Sequence, residues 1–202
     1  TLIDLDPEHI SAYSLTVEPS TKLFNLVKNK ELLMPLEKID IEQFLRTQNI
    51  LSKNEYTQYE ISSYSKKNME CQHNLHYWNL DPYLSFGPSA HSHDLKNRWW
   101  NHRSLDTYIQ NISNDQSPVE DKETLTLEDN YNEIILNGLR LTKGINTLSI
   151  KDFHNGNYNT YISNIKNKWD CIDTSNNYIK LIHNGMLFVD EISSDMFIHH
   201  QV

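Results

Sequence analysis

The chain has 202 residues, 38% of them hydrophobic and 22% charged, enough for one large or two small domains. Its formal net charge of −9 argues against a nucleic-acid or anionic-membrane footprint, which requires clustered Lys and Arg. Cys71 and Cys171 lie too far apart in sequence to suggest a disulfide framework, and neither a signal peptide nor an apolar run of about 18 residues is evident, so the expected setting is cytoplasmic.

In chain order, residues 10–17 alternate apolar with small or polar side chains, the period of a strand, and Pro19 ends it. Residues 21–31 read as a short helix or loop. Ile39, Ile41, Phe44, Leu45, Ile50 and Leu51 predict a helical face over 40–52 with Asp40 as candidate cap. Tyr56, Tyr59, Ile61 and Tyr64 suggest one strand with imperfect alternation. A further strand broken by Gly87 and Pro88 is expected to deliver Ala90 and His91, and Arg98, Trp99 and Trp100 form another short strand. Asn101 with Ser104 can begin a helix carrying Leu105, Tyr108, Ile109 and Ile112.

The polar stretch 114–123 has the composition of a boundary, which predicts domains at 1–115 and 120–202. Beyond it, Thr126 with its following carboxylates suits a helix start, Ile134, Ile135, Leu139 and Leu141 give its apolar face, and Gly144 stops it. Helices over 147–153 and 158–169, a strand at 178–181 and a last helix over 186–196 complete a winged-helix rhythm. Asn184-Gly185 either makes a tight turn or opens that last helix. Residues 158–169 carry only Lys166 and Lys168, so a lid or docking role is favoured over DNA binding.

Chemistry concentrates between Cys71 and His102, which hold five of the ten histidines and three of the four tryptophans. His73 offers an imidazole nitrogen to a metal, Tyr77 and Trp78 offer a surface for a planar ligand, and Asn74 can hold the imidazole tautomer or a propionate. The competing account is structural, with the two rings plugging a core and His73 satisfied by a carbonyl. Cys71, His73 and His76 are an incomplete set for zinc.

His73-Asn74-Leu75-His76-Tyr77-Trp78 resembles the His-Asn-x-x-Tyr-Trp signature of HemW-type haem chaperones, relatives of the oxygen-independent coproporphyrinogen III oxidases (HemN-like) in the radical SAM family. Residues 9–19, Tyr59-Glu60-Ile61-Ser62, Gly87-Pro88-Ser89-Ala90-His91-Ser92, Asn132-Glu133 and Gly138-Leu139-Arg140 resemble family blocks in the family's order. The resemblance implies an α/β (α+β) fold: the C-terminal part of a partial TIM-like radical SAM barrel, then a small winged-helix-like domain. It implies haem binding by His73, Asn74, Tyr77 and Trp78, with His73 on the iron, and S-adenosylmethionine near Thr16, Ala90 and His91. Ordinary strand packing is the alternative for Thr16. Glu60 would end near the active mouth or serve as a structural carboxylate paired with arginine.

The oxidases resemble Arg-Asn-Phe-Gln-Gly-Tyr at the signature, so a permanent cation is replaced here by a potential iron ligand, which favours the chaperone over the oxidase. Family members hold a [4Fe-4S] cluster on a Cys-x-x-x-Cys-x-x-Cys loop that two cysteines cannot supply, so the chain looks like the C-terminal half of a longer protein and catalytically silent alone. Implied partners are haem or porphyrin, the missing half of the barrel and a haem-acceptor protein. Exposed barrel edges predict self-association.

Overall fold

The computed structural model describes residues 2–198, which divide into two compact units on either side of the Cys71–Gln72 bond. In the first, β1 (His9–Ser11) is followed by α1 (Lys22–Lys28), α2 (Glu37–Lys53), β2 (Thr57–Glu60) and β3 (Ser63–Ser65), and the strands form an antiparallel sheet in the order β1-β3-β2. Ile10 sits opposite Tyr64 across the β1–β3 register, so both point to one face, where they meet Leu51 and Tyr56 in the core. Leu51 is the buried residue of α2, and the Tyr56 hydroxyl donates to Pro7 O at 2.6 Å. α1 starts where Thr21 Oγ1 accepts the Phe24 N–H at 3.1 Å.

Three expectations change here. The strand over 10–17 shortens to β1: beyond the bond from Ala12 N to Ser62 O (2.8 Å) the backbone leaves the ladder, with Tyr13 and Leu15 exposed. The single strand through Tyr56–Tyr64 is a hairpin, turning at Ile61-Ser62, where the buried Glu60 carboxylate accepts the Ser62 N–H at 3.1 Å. Glu60 is thus bonded to backbone at its own turn, and its charge joins burial in pushing the Tyr64 hydroxyl up to about 12. Asp40 is not the cap of α2; the helix begins after Leu36, which has no side-chain cap bond, and Glu37 and Asp40 lie in the first turn, where the dipole favours negative charge.

The second unit contains α3 (Gln72–Trp78), β4 (His91–His93), β5 (Asn97–Asn101), α4 (Leu105–Ser113), β6 (Val119–Thr124), α5 (Leu127–Gly138), β7 (Ile145–Asn146), α6 (Leu148–Lys151), α7 (Tyr158–Lys168), β8 (Ile172–Asp173), β9 (Tyr178–Leu181) and α8 (Val189–Met196). Its antiparallel sheets have the orders β4-β5-β6 and β7-β9-β8. Within the polar stretch 114–123, β6 begins at Val119 and pairs with β5 from Asn97↔Thr124 to Asn101↔Val119. Asn101 is the buried end of β5, donating to Gly87 O at 3.0 Å, and Ser104 alone caps α4.

α5 opens with a capping box: Thr126 Oγ1 accepts the Asp129 N–H at 3.1 Å and the Asp129 carboxylate accepts the Thr126 N–H at 2.9 Å. Its inner face buries Tyr131 and Ile135, and Leu139, Ile150, Ile179, Ile192 and Met196 are likewise buried in this unit. Two glycines allow close approaches, one to a side chain and one to backbone. A Cβ on Gly138 would lie 2.5 Å from Ile145 Cγ1, and one on Gly144, at φ +76°, would lie 2.1 Å from Ile179 O. Arg140 then ties α5 to α8 through Asp190 at 2.5 Å.

A polar chain threads the same core. His154 Nε2 lies 3.0 Å from the Tyr131 hydroxyl, which donates to the Tyr161 hydroxyl at 2.9 Å, which donates to Met196 O at 2.8 Å. With Tyr131's proton committed to Tyr161, His154 must be the donor at Nε2. Burial pushes Tyr131 up to about 12, raises Tyr161 further, and lowers His154. The expected last helix begins as a 3-10 turn over Gly185–Phe188 and becomes α-helical from Val189.

Candidate functional site

α3 is a short helix that carries the whole His73–Trp78 signature. Its end is closed by Asp81: the Asp81 N–H donates to His76 O at 2.9 Å, its carboxylate meets His76 Nδ1 at 2.7 Å, and Leu80 takes the left-handed conformation at φ 59°. His76 therefore has a local job in stopping the helix. His73 is exposed, and its ring meets the Tyr77 ring edge-on at 5.0 Å between centroids, as the i,i+4 spacing on a helix allows. Tyr77 retains 40% exposure, while Asn74 and Trp78 are half-buried. The imidazole thus faces solvent beside an aromatic ring, as an incoming planar ligand would need.

The ring contacts continue inward. Tyr77 meets Tyr83 edge-on at 4.7 Å, and Tyr83 meets His93 at 5.9 Å. Tyr83 and His93 are joined by a two-bond antiparallel bridge, which puts both rings on one face. His93 in turn pairs with Arg98 on β5, and Arg98 forms a close ion pair with Glu133 of α5. Tyr77, Trp78, Tyr83, His93, Arg98 and Glu133 help line a cavity of about 210 Å³, and Trp78, His93 and Glu133 also border a larger one of about 500 Å³ that extends to Lys143 and Tyr178. Burial raises the Tyr83 hydroxyl above its ordinary value, against the pull of Arg98. Neither Tyr83 nor His93 stood out in the sequence. Their only signal is position, Tyr83 just after the Pro82 turn and His93 two residues beyond His91 in alternating register.

The other expected residues are placed as follows. Thr16 is exposed in the first unit on backbone outside the ladder; Ala90 and His91 are in the second, where Ala90 O accepts the Asn101 N–H at 3.0 Å and His91 stacks on Trp100 at 5.6 Å. Cys71 is half-buried and Cys171 buried, both free, and no group of three or more His, Cys, Asp or Glu among the described residues could hold a metal ion. The chain's own residues do not fit an iron–sulfur cluster, which takes cysteine thiolates at three or four corners. Among the described residues no helix is long and apolar enough to cross a membrane.

The fold resembles that of the Escherichia coli coproporphyrinogen III oxidase HemN, a radical SAM enzyme: 97% of the chain superposes on 49% of HemN with a TM-score of 0.69, at 16% identity. In sequence the chain is HemW-like. It is 31% identical to the haem chaperone HemW of Bacillus subtilis over 196 residues, covering 95% of this chain and 52% of that protein. It is also 32% identical to the haem chaperone HemW of Mycobacterium tuberculosis over 138 residues, 68% of this chain and 35% of that one. The chain spans about half the length of the Bacillus relative and less of the Mycobacterium one. No family model matches it.

Proposed function

We propose that this chain is the haem-binding part of a haem chaperone that passes its cargo to an acceptor protein. The observation that carries the reading is the exposed His73 imidazole, set edge-on to Tyr77 on a helix that also presents Asn74 and Trp78. A neutral imidazole nitrogen can take an axial position on iron, and the rings supply apolar surface for the macrocycle. An oxidase is the weaker reading, because His73 stands where the resemblance puts the oxidases' arginine.

The first unit reads as part of a TIM-like barrel to which further strands would add, supported by the HemN likeness and by the exposed Tyr13 and Leu15. The end of the second unit reads as a winged helix, supported by its order of α5, β7, α6, α7, β8 and β9 and by the sheet β7-β9-β8. Lys168 of α7 is engaged by Asp195 at 2.5 Å, which fits docking better than phosphate contact. Thr16, Ala90 and His91 are assigned to S-adenosylmethionine by resemblance, with the cluster held by residues outside this chain. Two free cysteines fit a reducing compartment.

Titration with hemin tests the reading. Binding should give a Soret shift that His73→Ala abolishes and His76→Ala leaves in place; a shift unchanged by His73→Ala removes the axial-ligand assignment.

A further inference from the structure

The signature explains which groups meet a porphyrin, but not what holds them. His73 and Tyr77 are both exposed and lie on a helix of only seven residues, too short to keep its shape unaided. Their orientation must come from tertiary contacts. The ring path supplies one, running from His73 through Tyr77 and Tyr83 to His93 with centroid separations of 5.0, 4.7 and 5.9 Å. Its outer end is exposed, whereas its inner end is enclosed: His93 is only 4% exposed and is held through its backbone by Tyr83 N–H to His93 O at 2.9 Å and His93 N–H to Tyr83 O at 3.0 Å.

We propose that Tyr83 and His93 are positioning residues of the haem-binding face, their rings holding Tyr77, and through it His73, in the receiving orientation before the porphyrin arrives. The inference rests on the assignment of His73 to haem. The contact is one of ring shape. Within the described residues His93 Nε2 has no hydrogen-bond partner, so the buried imidazole keeps one polar atom unmatched at this position. A phenyl ring at 93 preserves the contact and removes an unmatched polar atom, with the adjoining cavity of about 210 Å³ offering room for the slightly larger ring.

Removing a ring frees Tyr77, and re-ordering one such side chain on binding weakens affinity roughly three- to tenfold. The test compares hemin affinity and spectrum for Tyr83→Phe, Tyr83→Leu, His93→Phe and His93→Ala in the whole chain. Melting temperatures identify variants that remain folded. The two Phe variants should bind as the unaltered protein does; Tyr83→Leu and His93→Ala should bind roughly three- to tenfold more weakly, reaching the Soret shift only at correspondingly higher hemin concentration. A folded Tyr83→Leu that binds normally overturns the proposal, and so does a folded Tyr83→Phe that binds weakly, since the hydroxyl would then be the acting group. If the leucine and alanine variants do not fold, the unaltered protein decides. Nuclear Overhauser contacts from Tyr77 to the Tyr83 and His73 rings must be present before haem is added, and their absence overturns the proposal. Loss of the haem spectrum in His73→Ala is scored first, so failure of the axial-ligand assignment is distinguishable from failure of the ring path.

Discussion

Gly144 and Gly156 have nearly the same backbone conformation, φ +76° and +85°, but different surroundings, and replacing each by alanine separates conformational strain from steric exclusion. Placing an L side chain in the left-handed region destabilises by about 1–2 kcal/mol, partly offset by about 0.4–1 kcal/mol from the stiffer unfolded chain. At Gly156 nothing lies within 4 Å of the added methyl, so Gly156→Ala should remain within roughly 1–2 kcal/mol of the unaltered protein. At Gly144 the methyl would sit 2.1 Å from Ile179 O and 2.9 Å from Ile179 C, both backbone atoms of a fully buried residue that cannot swing aside. Relief requires β7 to part from β9 beside the Ile145↔Ile179 pair, losing ladder hydrogen bonds at about 0.5–1.5 kcal/mol each and loosening two buried isoleucines. Gly144→Ala should therefore destabilise by about 3–5 kcal/mol, a large share of a domain's total. Urea unfolding followed by tryptophan fluorescence reads this unit selectively, because all four tryptophans fall within 72–202. Equal losses in the two variants would refute the reasoning, since the close approach would then contribute nothing.

The polar chain beneath α5 gives two more expectations. Tyr131→Phe leaves the half-buried Tyr161 and the His154 N–H each short of a partner, so thermal or urea denaturation should show a loss of about 1–3 kcal/mol. His154 is held below its ordinary 6.5 by burial, so the unfolded chain binds its proton first. Its contribution is complete above about 6.5 and is lost as pH falls toward the folded value, so urea midpoints should drop on acidification from neutrality. In His154→Phe this part of the pH slope should vanish; an unchanged slope would assign it to other groups.

Much of the second unit could be read from sequence wherever local chemistry marks an end. Thr126 and Asp129 announce α5 by their spacing, and Ser104 marks α4. The errors arose where the deciding partner is remote. The β2–β3 hairpin turns on Ile61-Ser62 without Gly, Pro or Asn, so its tyrosines look like one strand. Residues 13–17 alternate properly but make no ladder hydrogen bond among the described residues, and alternation alone does not make a strand. The signature exposed its helix and its rings, while Tyr83 and His93 entered through a bridge that no short-range pattern encodes.

β6 looks like a linker in sequence because nearly all of Val119–Thr124 is charged or polar, yet it forms one border of the sheet β4-β5-β6. Glu120, Asp121 and Glu123 line that border with only Lys122 among them. A second copy docking its own β6 alongside would crowd like charges together, so growth of the sheet from this side is opposed at neutral pH. Acid or high salt would lift the barrier, making this margin a built-in guard against fibrous stacking that works only while its carboxylates stay ionised and unscreened.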